Sequence, residues 1–278
     1  MKKNGDRIVI SADPCGDDVT ASRADALATQ LSLARVRDAR TIEAVIVLAV
    51  TPNRLELRVL DEQRAVRNGA PPRGRPVVID LARIDTKSGA GASLRQPLAR
   101  AMGIKRGDTY RPRVLDATAG FGHDTWLLAS LGCNVTAIER HAVVAAMLQD
   151  AVERARDVQP DVAARIAVKH DDTHHVLKRS LADSNSVVDV VYLDPMYPAG
   201  PRRAAQRKAM RVLRDLVGED DDATSLLDAA RHVARKRVVV KRPIHAPPLA
   251  PGPVQSHKGN AVRFDVWVGE SPKCPNTP

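Results

Sequence analysis

The chain has 278 residues, 44% of them hydrophobic, and 43 lysines and arginines against 33 aspartates and glutamates give it a net charge of +10. That length exceeds what one small core needs and predicts one large or two unequal domains, and the basic excess admits a nucleic-acid partner without requiring one. No apolar stretch approaches the roughly 18 residues of a membrane span, and the apolar run Ile8 to Ile10 behind the two early lysines is too short for a signal peptide, so a cytoplasmic protein without a membrane partner is expected.

Residues 20–39, TASRADALATQLSLARVRDA, carry helical spacing and predict a helix beside or across a small sheet. EAVIVLAV (43–50), the turn TPNR (51–54) and the alternating LELRVL (55–60) predict a β-hairpin, and VVIDLA (77–82) a further strand after the loop GAPPRGRP (69–76). Residues 1–85 therefore read as an N-terminal antiparallel β-rich region with some helix. The segment 86–111 reads as a basic inter-domain helix and linker, whose Arg95, Arg100, Lys105 and Arg106 are either a solvated face or the lining of a substrate cleft.

Over 112–270 the rhythm changes. Strands RVLDA (113–117), NVTAIER (134–140), RIAVKHDD (165–172), VVDVVYLDP (187–195), KRVVVKRP (236–243) and AVRFDVWVG (261–269) are interspersed with helical segments 123–132, 141–156, 174–182, 204–218 and 223–235. This alternation predicts an α/β fold, Rossmann-like, with a mostly parallel, doubly wound sheet. The tail SPKCPNTP (271–278) reads as disordered. Cys15, Cys133 and Cys274 are widely spaced with no CxxC pair, so neither a disulfide framework nor a zinc site is expected, and no metal-ligand spacing surrounds His174 and His175.

Four places carry chemistry. D-A-T-A-G-F-G (116–122) straddles a strand end and a helix start, where Asp116, Gly120 and Gly122 predict close approach of a ligand to backbone. Glu139 ends the second strand of the domain, where a carboxylate accepts hydrogen bonds from the ribose hydroxyls of an adenosine-containing cofactor or, alternatively, caps the next helix. Asp171 and Asp172 end the third strand and reach either an adenine edge or the following helix start. The fourth strand ends in Asp194-Pro195-Met196-Tyr197-Pro198, an acceptor, a rigid turn and an aromatic plate at the position where open α/β sheets bind ligands. That set matches methylation of an exocyclic base amine: Asp194 and the Pro195 carbonyl accept the two N–H groups, and Tyr197 stacks on a flipped base. A nicotinamide oxidoreductase shares the glycine turn and Glu139 but does not explain the Asp-Pro-Met-Tyr loop. A DNA or adenine-N6 amino-methyltransferase explains that loop equally well, and a non-catalytic RNA-binding protein needs no cofactor cleft.

DATAGFGHD, AIERHAVVAAML, VVYLDPMYP, KAMRVLRDLVG and RVVVKRP, in this order, resemble the bacterial small-subunit ribosomal RNA methyltransferase J family over about residues 40–268. The resemblance implies a class I S-adenosylmethionine-dependent methyltransferase acting on the N2 amine of one guanine in 16S ribosomal RNA, guanine 1516 in the family. It implies S-adenosyl-L-methionine as cofactor and 16S ribosomal RNA or the small subunit as partner, with no obligate protein partner evident. By position it places cofactor contacts on His123, Asp124, Glu139, Arg140, Asp172, Thr173 and Asp194. His123 stands where the family has arginine, and Asp172-Thr173 where it has paired serines. Arg95, Arg100, Lys105, Arg106, Arg202, Arg203, Arg207, Lys208, Lys241 and Arg242 are the cations expected to hold RNA phosphates.

Overall fold

A computed structural model describes residues 8–13, 17–37, 46–59, 76–86, 94, 96–182, 188–195 and 222–270, and the statements below concern these. The runs IVISA and IVLAV are buried along their whole length, and β-branched residues buried on both faces make them inner strands of a first sheet. That sheet contains β1 (Ile8–Ala12), β2 (Ala34–Arg35), β3 (Ile46–Val50) and β4 (Leu55–Val59), in the order β2-β1-β3-β4. The expected hairpin is β3–β4, with Leu48 opposite Leu57. The expectation of an antiparallel region is corrected, because β1 runs parallel to both β2 and β3. The helix α1 (Asp18–Leu31) supplies the crossover that a parallel pair requires. Asp17 caps α1 through its carboxylate, which accepts from the Val19 and Thr20 N–H groups. The helix expected over 20–39 stops at Leu31, where Ser32 takes a left-handed conformation (φ 54°), and Ala34–Arg35 pair as β2 instead. VVIDLA makes only one bridge, Val77 to Leu57, before a 3-10 turn at Leu81–Arg83.

The basic segment forms only the short helix α2 (Pro97–Ala101), and Gly103 and Gly107, at φ 78° and 81°, turn the chain onward. Then follow β5 (Arg113–Asp116), α3 (His123–Ser130), β6 (Asn134–Glu139), α4 (Ala142–Ala155), α5 (Pro160–Ala163), β7 (Ile166–His170) and α6 (Thr173–Ala182). After these come β8 (Val190–Leu193), α7 (Ala223–Val233), β9 (Arg237–Pro243), β10 (Gln255–Lys258) and β11 (Val262–Val268). The second sheet has the order β10-β11-β9-β8-β5-β6-β7. Strands β9 to β7 in that order are parallel, and β11 and then β10 are added antiparallel. This is the Rossmann-like arrangement expected; α5 and β10 are additions to it. The helix expected at 204–218 and the tail 271–278 lie outside the described residues.

Because the chain winds from β5 to β6 and β7 on one side and to β8 and β9 on the other, the carboxyl ends of β5 and β8 flank a topological switch point. One apolar cluster joins Ile10, Leu48 and Leu57 of the first sheet to Leu148, Val152 and Val135 of the second unit. At that junction Asp150, 5% exposed, accepts from Arg23 (2.5 Å), Arg154 (2.9 Å) and the Leu55 N–H (3.2 Å). A buried carboxylate with that many donors is a paired charge and not a stranded one. No helix among the described residues is long and apolar enough to cross a membrane.

Candidate active site

A cavity of about 600 Å³ opens at the carboxyl ends of the central parallel strands. It gathers Asp116 and Gly120 from the first turn, His123 and Asp124 from α3, Glu139 and Arg140 from β6, Asp172 and Thr173 from the β7 exit, and Asp194 from the β8 exit. Gly122 lies beneath the cavity as the N-cap of α3, with φ 75°. Tyr197, with Arg95, Arg202, Arg203, Arg207 and Lys208, lies outside the described residues; Pro195 is buried directly after Asp194.

The loops are fixed by hydrogen bonds that sequence reasoning did not anticipate. The Asp194 N–H donates to the Thr118 hydroxyl (2.6 Å), and the Thr173 hydroxyl donates to the Ala117 carbonyl (2.6 Å). The exits of β5 and β8 and the start of α6 are thereby tied together. Glu139 is 4% exposed. Its carboxylate accepts from the Gly120 N–H (3.0 Å) and, at the start of α4, from the His141 N–H (2.7 Å), and it lines the cavity. Asp172 also lines the cavity while one of its oxygens accepts from the His174 N–H at the start of α6.

Four side chains form a charged chain along one wall. The Lys241 ammonium donates to Asp124 Oδ2 (2.6 Å) and to Asp194 Oδ2 (3.0 Å), and the Tyr192 hydroxyl donates to the same Asp124 oxygen (2.6 Å). Burial by itself would raise the Asp124 pKa, but the Lys241 charge and the bonds from His123, Lys241 and Tyr192 hold its carboxyl well below the usual range. Burial works against the Lys241 cation too, and Asp124 and Asp194 more than restore it. Lys241 and Arg242, expected to hold RNA phosphates, are both engaged by groups within the protein. An ammonium between two carboxylates has its charge already satisfied, and Arg242, 5% exposed, directs its guanidinium to the Pro247 carbonyl. A signal was present in the sequence, because a tyrosine or lysine inside a strand buried on both faces must find a polar partner.

Asp116 is the exception to the pairing. It is 1% exposed, accepts from the Thr125 hydroxyl (2.5 Å), and burial, reinforced by Asp124 and Asp194, pushes its pKa up to about 7. The folded carboxyl therefore keeps its proton while the unfolded one ionises near 4, so stability falls as pH rises between about 4 and 7 and the full cost stands above that. That cost is up to about 4 kcal/mol. Asp116→Asn, which keeps an acceptor for Thr125, should gain on the wild type by about 2–4 kcal/mol between pH 5 and pH 8 in urea unfolding of the cofactor-free protein. Parallel pH profiles for the two proteins would show that Asp116 ionises normally.

The cavity also has a wall outside the Rossmann-like unit: Val78 to Leu81 and Ile84, after the first sheet, face it. The Ile79 carbonyl is anchored by Arg154 of α4 at 2.6 Å. VVIDLA (77–82), expected as a strand, turns away after Val77 and helps form this wall. Arg100, Lys105 and Arg106 are exposed but do not line the cavity. The α2 end is bound to the start of β9, where Arg237 donates to the Ala101 carbonyl (3.1 Å), so these cations sit toward the strand starts.

Residues 27–269 match the model of a family of SAM-dependent methyltransferases. The chain is 42% identical over 234 residues to the ribosomal RNA small subunit methyltransferase J of Serratia proteamaculans, covering 81% of this chain and 88% of that one. It is 44% identical over 253 residues to that of Thioalkalivibrio sulfidiphilus, covering 88% and 92%. The crystal structure of a SAM-dependent methyltransferase from Neisseria gonorrhoeae is 31% identical, with a TM-score of 0.69 over 95% of this chain and 97% of that one.

Proposed function

Because the chain belongs to the ribosomal RNA small subunit methyltransferase J family of S-adenosylmethionine-dependent methyltransferases, we propose that it methylates the N2 amine of one guanine in 16S ribosomal RNA, guanine 1516 by family position. Membership of this family carries methylation of ribosomal RNA with S-adenosyl-L-methionine as cofactor. Asp194 opening into the same cavity as Gly120 and Glu139 supports an exocyclic base amine as the methyl acceptor, and the choice of guanine N2 rests on the family resemblance.

The residues present fit the cofactor. Gly120, at φ 52°, has no Cβ to keep a ligand from the backbone, and a carboxylate has about four acceptor sites, so Glu139 can serve ribose hydroxyls beside its backbone donors. The carboxylates of the cavity suit a ligand bearing a sulfonium and an ammonium. When bound, S-adenosylmethionine supplies a methyl group on a positively charged sulfur. Asp194 and the Pro195 carbonyl accept the two N–H groups of the guanine amine, whose lone pair is otherwise delocalised into the ring. Pyramidalising the nitrogen in this way aims its lone pair into the cavity. Asp194 need not deprotonate the neutral amine, for which a carboxylate of reference pKa about 3.9 is too weak a base; the proton leaves once the nitrogen has gained the methyl group. Tyr197 stacks on the base, and Arg95, Arg100, Lys105, Arg106, Arg202, Arg203, Arg207 and Lys208 hold phosphates of the RNA.

The test is methyl transfer to 16S ribosomal RNA and to assembled small subunits, with the product nucleoside mapped by mass spectrometry. The expected product is N2-methylguanine at one position; N6-methyladenine, or methylation of DNA alone, overturns the reading. Glu139→Ala should weaken S-adenosylhomocysteine binding roughly 10- to 150-fold by calorimetry, the loss of about 1.5–3 kcal/mol in bonds to a charged acceptor. Unchanged affinity would place the ribose elsewhere.

A further inference from the structure

We propose that Lys241 is a positioning residue for methyl transfer, clamping the Asp194 carboxylate against a fixed post, Asp124, so that the acceptor of the base amine is held in one orientation. The inference rests on the methyltransferase reading above. Strands β8 and β9 are parallel, with Tyr192 opposite Val239 and Leu193 opposite Val240. One more step of that register brings Lys241 beside Asp194, and Lys241, only partly buried between the buried Val240 and Arg242, can carry a charge there.

The two carboxylates that Lys241 touches are not equivalent. Asp124 has a side chain 12% exposed and is tied from behind by the hydroxyl of Tyr192, which is fully buried. Asp194 has a side chain 40% exposed at the cavity mouth, where its backbone is anchored by Thr118. An exposed carboxylate retains rotamer freedom unless something restrains it. The Lys241 ammonium, at 2.6 Å from the fixed acid and 3.0 Å from the exposed one, supplies such a restraint. It also offsets the mutual repulsion of the Asp124 and Asp194 carboxylates, which face it from α3 and the β8 exit. A poor nucleophile such as an aryl amine depends on alignment, and a misplacement of about 1 Å can cost about 100-fold in rate.

Single-turnover methyl transfer to small-subunit ribosomal RNA separates the possibilities. Lys241→Met is expected to lower kcat about 100-fold with the KM for RNA nearly unchanged. Lys241→Arg, which keeps a cation with hydrogen-bond donors, is expected to recover most of that loss. In an Asp194→Ala background, Lys241→Met should cost little more of the residual rate, because the group it orients is gone. If the methionine variant fails to fold, Lys241→Gln, whose amide can still reach the carboxylates without a charge, takes its place with the same expected split. A wild-type rate in the charge-deleted variant overturns the inference, and so does a raised KM with kcat intact, which would make Lys241 an RNA contact. Absence of methyl transfer by the wild-type protein itself would instead overturn the function proposed above.

Discussion

Asp194→Ala is expected to slow single-turnover methyl transfer by about 1,000-fold or more while RNA binding stays within about twofold of the wild type. The loss is large because the substitution removes the acceptor of the base amine and also leaves Lys241 with one carboxylate in place of two. Binding survives because the exposed cations proposed to hold phosphate, Arg100, Lys105 and Arg106, are not part of the cavity. Asp194→Asn divides the mechanism further. Its amide oxygen still accepts from the amine, so activity well above that of the alanine variant assigns the role to orientation, whereas equal loss in both assigns it to charge. An alanine variant that transfers methyl groups at the wild-type rate would remove Asp194 from the chemistry altogether.

The Rossmann-like unit was legible because its signals are local. A strand buried on both faces, a glycine turn and an amphipathic helix each announce themselves within about fifteen residues. β5 to β9 and the helices α3, α4, α6 and α7 accordingly fall close to where the sequence places them. The N-terminal sheet was legible only in part. Its hairpin is local, but the pairing of β1 with β2 and β3 is set by a crossover and by packing against α1, which periodicity does not encode. The same distinction divides the site. Gly120, Glu139 and Asp194 could be found because each stands at a strand exit whose chemistry is general. The Tyr192–Asp124–Lys241–Asp194 chain could not be assembled from spacing, since its members come from three separate elements and meet only when β9 docks beside β8. Lys241 was read by its charge as an RNA-phosphate contact, and residues 77–82 as a strand. Their actual roles depend on contacts made across the fold.

Gly122→Ala is expected to destabilise the protein by about 2–5 kcal/mol, a large part of the roughly 5–15 kcal/mol that holds a domain folded. Two costs combine. The residue has φ 75°, a left-handed conformation that costs an L-residue about 1–2 kcal/mol. A Cβ there would also stand 2.3 Å from Cδ1 of Leu148, a fully buried side chain of α4, and overpacking of that kind costs about 1–3 kcal/mol. The damage reaches the site, because Gly122 caps α3 and its displacement moves Gly120 and Asp124 with it. S-adenosylhomocysteine affinity should therefore fall together with the urea midpoint. Leu148→Ala separates the two costs. Alone it should cost about 2–5 kcal/mol by leaving a cavity. In the Gly122→Ala background it should cost about 1–3 kcal/mol less, since it removes the atom that the new methyl group strikes. If the two changes prove additive within about 0.5 kcal/mol, the strain lies in the left-handed backbone alone and the packing of α4 beneath the cofactor turn is not what excludes a side chain at this position.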